Sequence, residues 1–238
     1  MNRLTQAVVM LLFGGAIIRA TVTGMFLRYV KEGLRPFLLA TGTLLIAGAV
    51  MTIWYELRAL GHHHDDPGGG HGHHEPRVGW LLILPVVGLL LIAPPALGAF
   101  SAGQAGSIMA EQSDSDYPPL PPGDPVPLGL LDYAARAVFD DGKSLTGRTV
   151  RLTGFITEGP GGTPMLARMV LTCCAADGRP IKVGLTGDPV VDAAPDTWVQ
   201  VDGVYSGKVG TDPVNDAKVA YIEVKSWQET TEPERPYA

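Results

Sequence analysis

The run from Val78 to Phe100, VGWLLILPVVGLLLIAPPALGAF, contains no charged residue. At 1.5 Å of rise per helical residue, about 20 apolar residues cross a hydrocarbon core of roughly 30 Å. The run therefore predicts a membrane span over residues 78–100. The stretch just before it, Gly61 to Pro76, holds all six histidines of the chain. Everything that reads as a water-soluble fold comes after it. A crossing at 78–100 puts the histidine loop and the soluble part on opposite faces of a bilayer.

Two further apolar runs precede the loop, at about 4–26 and 36–57, so residues 1–100 read as a three-span membrane region. A secretory signal peptide is the rival reading of the first run. No small-x-small cleavage site follows it, however, and a second span comes soon after. Arg19 is the one charge inside the first run. It either snorkels to the interface or pairs with a carboxylate on a partner helix, and such intramembrane charges are costly unless placed in one of these ways. Pro36 suits a helix start, and Trp54 and Tyr55 fall where an interfacial aromatic belt is expected. Gly14, Gly15 and Gly24 in the first span and Gly42 and Gly48 in the second allow close helix packing.

Positive charges tie on the two sides: Arg3, Arg58 and Arg77 against Arg28, Lys31 and Arg35. The tie is broken by the absence of Lys or Arg between Arg77 and Arg136, because cytoplasmic flanks normally carry such residues. The expected arrangement is a multi-pass protein of a bacterial cell membrane, with the histidine loop inside and the C-terminal domain extracytoplasmic. From Glu111 onward there are 19 acidic and 11 basic residues. An acidic soluble half is a poor match for phosphate backbones, which disfavours nucleic acid as a partner.

The loop at 61–76 carries the most explicit chemistry. His62, His63, His64, His71, His73 and His74 are interleaved with Asp65 and Asp66, and a Gly68–Gly70 hinge separates the two clusters. Imidazole and carboxylate groups are ligands for zinc and other borderline divalent metals, and the hinge lets both clusters close on one ion. A solvated connector that binds metal only incidentally is the plain alternative.

Residues 101–127, rich in Ser, Pro and acid, read as a linker. Residues 128–238 then read as a mainly-β domain. A helix is predicted over 128–142 from apolar Leu128, Leu131, Ala135 and Val138, with Gly142 as its stop. Five strands follow, around Val150, Leu152 and Ile156; over 165–174; around Ile181, Val183 and Leu185; over 197–205; and over 218–227. Five short strands with one helix suit an OB-like barrel, an architecture that hosts many functions.

The layout resembles the YcgQ-type family of bacterial membrane proteins, described as one subunit of a predicted two-component membrane permease complex. The residues that carry the resemblance are Leu27-Arg28-Tyr29-Val30, the histidine-bearing loop before a span, Arg168 followed by Cys173-Cys174-Ala175-Ala176-Asp177, and Pro233 to Tyr237. The resemblance covers nearly the whole chain. It implies association with a separate, many-spanning permease that forms the transport path, with Arg19 and Arg28 as candidate partner-binding residues. It does not specify a substrate.

Cys173 and Cys174 are the only cysteines, and adjacent cysteines cannot staple a fold. With Asp177 they form a candidate second metal site, in which two thiolates and a carboxylate leave a coordination position open. Arg168, Arg179 and Lys182 are near enough in sequence to lower the thiol pKa values if they approach in space. Core packing of one cysteine and a thiol redox pair are the other readings. There is no GxSxG, P-loop, dinucleotide glycine pattern or HExxH, and no histidine follows His74. The expectation is therefore a non-enzymatic accessory subunit, set in divalent-metal homeostasis with zinc first. A membrane-anchored thiol redox protein and a structural envelope-binding module are the alternatives.

Overall fold

Gly14 and Gly42 face each other where the first two helices meet, so closely that a methyl group on Gly14 would lie 2.9 Å from the Gly42 carbonyl oxygen. The computed structural model describes residues 3–60, 88, 95–108 and 117–238. The chain divides into two compact units, residues 1–26 with 31–94, and residues 27–30 with 95–238. The histidine loop at 61–76 and most of the run at 78–94 lie outside the described residues.

In the first unit α1 (Arg3–Val22) pairs with α2 (Arg35–Leu60). Gly42 lies against Ile18, Gly14 against Ile46, and Gly48 against Met10. Descending numbers on one helix meet ascending numbers on the other, so the pair is antiparallel. Arg3 and Glu56 close one end at 3.8 Å. Small residues let the backbones approach and leave the large side chains outside. Thr21, Thr43 and Thr52 donate their hydroxyls to the carbonyls four residues back, which satisfies them within an apolar helix. Both helices are long and apolar enough to cross a membrane by length and composition.

The second unit is a six-stranded mixed sheet. Its strands are β1 (Val126–Pro127), β2 (Val150–Glu158), β3 (Pro164–Val170), β4 (Arg179–Thr186), β5 (Trp198–Thr211) and β6 (Lys218–Glu229). They lie in the order β1-β2-β3-β4-β6-β5, and β2 also pairs with β5. Only β1–β2 and β4–β6 are parallel. Two helices accompany the sheet, α3 (Ala99–Gln104) and α4 (Leu130–Phe139).

The main core lies between α4 and one face of the sheet, with Leu130, Tyr133, Leu152, Ile156, Leu166, Ile181, Val183, Val201 and Ile222 among its members. A fully buried side chain of this size contributes roughly 1.5–3 kcal/mol. A smaller cluster of Ala99, Ala102, Phe155, Ala167 and Met169 covers the opposite face under α3. Strand neighbours such as Phe155 and Ile156 point to opposite faces, so burial of both requires cover on both sides. Trp198 meets Phe155 edge to face at 5.6 Å.

Several sequence expectations shift here. The helix predicted over 128–142 starts at Leu130, because Gly129 is extended (φ −70°, ψ 146°). The buried stripe turns accordingly. Tyr133 and Ala137 join the core while Leu128 and Leu131 only flank it. Six strands stand where five were expected, since Val126–Pro127 joins the edge of β2. Residues 95–100, read as the end of a span, belong to the sheet unit.

Much of the stretch read as a linker is tied to the sheet unit as well. Leu120 and Val126 are in the core. Arg136 donates to the Pro118 carbonyl at 2.8 Å, and Arg148 to those of Pro121 and Gly123 at 2.8 Å each. Proline has no N–H, so its carbonyl is the one backbone group that needs a partner, and arginine supplies it. Upstream, Ser107 N–H donates to Asp212, whose Oδ2 also receives the Lys182 ammonium at 2.9 Å. Lys182 donates in addition to the Ala105 carbonyl. This ion pair is buried, with side-chain exposures of 6% and 0%. Burial alone would push the Asp212 carboxyl up, but the Val214 and Ser107 N–H groups and the Lys182 ammonium outweigh it and hold it below its ordinary value.

Candidate functional site

The connection between β3 and β4 builds the site. Pairing ends at Val170 opposite Arg179. Leu171 is buried, Cys173 is exposed and Cys174 half-buried, and a single 3-10 turn, Ala175–Asp177, brings the chain back. Asp177 organises this loop. Its Oδ1 accepts the Thr172 N–H at 2.9 Å, and its Oδ2 accepts those of Cys173 at 2.7 Å and Cys174 at 3.3 Å. The Cys174 sulfur in turn accepts the Asp177 N–H, a reciprocal cap in which cysteine stands where serine or threonine is usual. The two sulfurs and a carboxylate oxygen end up within 4.8 Å of one another.

The electrostatics follow from that geometry. The Asp177 carboxylate first, and then Cys174, push the Cys173 thiol up to about 11. The same thiol, with the three backbone N–H groups, holds Asp177 down to about 2. Two of the three cations expected to lower the thiols are engaged elsewhere. Lys182 is bonded to Asp212 and to the Ala105 carbonyl. Arg168 donates to the carbonyls of Arg235 at 2.5 Å and Pro236 at 3.3 Å. With a carboxylate as its bonded neighbour, Cys173 is a protonated thiol at neutral pH and a weak nucleophile. It is still a ligand for any cation able to displace its proton.

Other motifs read from the sequence converge on this loop. Val30 forms an antiparallel bridge with Cys174, and Ala175 N–H donates to the Tyr29 carbonyl at 2.6 Å. Arg28 pairs with Glu232 at 3.5 Å. The Tyr237 hydroxyl donates to the Arg28 carbonyl at 2.7 Å and accepts the Leu97 N–H at 3.1 Å. Ala238 N–H then bonds to the Met169 carbonyl at 2.8 Å. Segments 27–30, 168–177 and 232–238, far apart in the chain, thus form one junction.

Of the sequence-derived site residues, Cys173, Cys174 and Asp177 come together. Arg28 is engaged by this chain's own Glu232, and Arg19 is exposed in the last turn of α1. His62, His63, His64, His71, His73, His74, Asp65 and Asp66 lie outside the described residues. Sequence reasoning missed Glu232 and Leu97, whose roles depend on partners more than a hundred residues away. Next to the tail is a cavity of about 470 Å³ with walls that include Leu97, Phe100, Phe155, Trp198, Asp196 and Glu232. Asp196 accepts the Ala99 N–H at 2.5 Å. Glu232 Oε1 is buried with no hydrogen-bond partner among the described residues.

Residues 135–238 match the family model of the DUF1980 C-terminal domain, a family of bacterial proteins. The matched range includes the whole thiol–carboxylate loop and the tail. No curated protein and no solved structure matches the chain.

Proposed function

We propose that the protein is the accessory membrane subunit of a permease complex that handles a divalent metal, zinc first, and that the sheet unit is its extracytoplasmic metal-binding part. The observation that carries this reading is the loop in which Cys173, Cys174 and Asp177 lie within 4.8 Å of one another. Two sulfurs and an oxygen suit a borderline-soft cation, and an open fourth position suits transfer rather than permanent storage. The resemblance to the permease-subunit family supports a many-spanning partner. Two apolar helices packed through glycines offer no transport path of their own.

Chain parity supports three crossings. Segment 27–30 belongs to the sheet unit, so it shares an aqueous side with that unit. If α2 crosses away from that side, the chain must cross back before Pro95, and the uncharged run 78–94 is the segment able to do so. On this reading the histidine loop faces the cytoplasm, opposite the thiols. The strand order supports an OB-like barrel, since the pairings β2-β3-β4-β6-β5 return to β2. The raised Cys173 thiol weighs against a thiol redox enzyme.

Purification of the full chain from membranes in mild detergent, with metal analysis of what is recovered, tests the proposal. The expected result is a co-purifying many-spanning protein and zinc in the complex. Recovery of the chain alone, without metal, overturns it.

A further inference from the structure

The thiol–carboxylate loop touches one element that its chemistry does not require. That element is residues 27–30, the connection between α1 and α2. Resting on the metal-binding reading above, we infer that a thiophilic divalent cation bound by Cys173, Cys174 and Asp177 tightens the seat of residues 27–30. The sheet unit then acts as a metal-responsive clamp on that connector.

The loop accepts a cation without being dismantled. An ionised carboxylate offers about four acceptor sites. Three are used by backbone N–H groups, which leaves one for a cation. Binding replaces protons with metal: M²⁺ plus two thiols gives two metal–thiolate bonds and releases two protons, with no change of oxidation state. The fourth acceptor site of the carboxylate is its metal-binding position, within 4.8 Å of both sulfurs. Tetrahedral zinc with Zn–S bonds of ~2.3 Å sets sulfurs about 3.8 Å apart. From separations within 4.8 Å, closure of the two sulfurs onto zinc is therefore no more than about 1 Å.

The coupling is local and covalent. Cys174 is both a ligand and the bridge partner of Val30. Ala175, whose N–H holds the Tyr29 carbonyl, lies between the ligands Cys174 and Asp177. Metal held on both sides of Ala175 fixes the direction of that N–H, so less order has to be gained when the connector docks. By linkage, docking raises metal affinity by the factor by which metal favours docking. The contacts of Arg28 with Tyr237 and Glu232 involve no metal ligand, so the connector keeps a basal seat without metal.

The test is hydrogen–deuterium exchange on the full chain in detergent micelles, with His62, His63, His64, His71, His73 and His74 changed to Ala so that zinc reports on the loop. Zinc binding is measured in parallel by equilibrium dialysis. The expected result is slower exchange at residues 27–30 and at the Ala175 amide with zinc but not with magnesium. The slowing reaches about 100-fold at free zinc one hundred times the dissociation constant, if only the seated form binds. Cys174→Ser and Asp177→Asn are expected to abolish it, and Tyr237→Phe, which loosens the seat from its far side, to weaken zinc binding. Zinc that binds without changing exchange at 27–30 overturns the clamp and leaves the metal-binding reading standing. No zinc binding at all overturns both.

Discussion

The helix pair and the sheet unit use the same apolar residues in opposite ways. In α2, Leu44 is 72% exposed while glycines fill the contact with α1. In the sheet unit, Leu166 is fully buried, and the buried Lys182 and Asp212 are paired with each other. An apolar exterior with small residues inside suits hydrocarbon surroundings, where packing rather than water exclusion holds helices together. The sheet unit shows the pattern expected in water. Exposed large apolar side chains in α1 and α2 fit helices that are long and apolar enough to cross a membrane, whereas the same residue types in the sheet unit build a core.

The largest test of this contrast is the buried ion pair. Asp212→Ala leaves the Lys182 ammonium buried without its carboxylate, and a loss of about 3–5 kcal/mol is expected in the sheet unit alone. Amide exchange of β4 and β6 in the full chain reads it, with α1 and α2 as the internal control. Acid acts in the same direction. Because the Asp212 carboxyl is held below its ordinary value, its contribution is complete above about pH 4 and is lost as pH falls through the lowered value. The Arg151–Asp202 pair, with side chains 38% and 20% exposed, sharpens the point: Arg151→Ala is expected to cost no more than about 1 kcal/mol.

Gly42→Leu is the corresponding test of the helix pair. Its Cβ would already stand 2.7 Å from the Ile18 side chain, and overpacking of this kind costs about 1–3 kcal/mol. Gly15→Ala, with nothing within 4 Å, is expected to leave the pair intact, as read by cross-linking between cysteines introduced on α1 and α2. A smaller effect is expected from Tyr237→Phe, which removes the hydrogen bond to the Arg28 carbonyl and weakens the junction by about 0.5–1.5 kcal/mol. The smallest signal is chemical. With the Cys173 thiol pushed up to about 11, only about a thousandth is thiolate at pH 8. Alkylation at Cys173 in the metal-free protein, located by peptide mapping, is therefore expected to be slow there and to rise steeply toward pH 11. Rapid labelling at pH 8 would contradict the Asp177 hydrogen bond.

Strands β2 to β6 were legible because alternation of apolar and polar residues is a local signal, as at Val150 and Leu152 or Ile181 and Val183. The strand Val126–Pro127 was not, since two residues in a proline-rich run carry no period. The start of α4 was misplaced by two residues because Leu128 fits an apolar stripe equally well, and only the extended Gly129 excludes it. Asp212 carried no signal either, as its partner Lys182 is thirty residues away on β4.

The two apolar helices and the close spacing of Cys173, Cys174 and Asp177 were legible in the residues alone, because hydropathy and neighbour spacing are properties of short stretches. That residues 27–30 belong with the sheet unit and lie on the thiol loop, with the tail over Arg28, emerged from the fold. Those contacts run largely through backbone N–H and carbonyl groups, which every residue carries alike, so side-chain identity could not announce them.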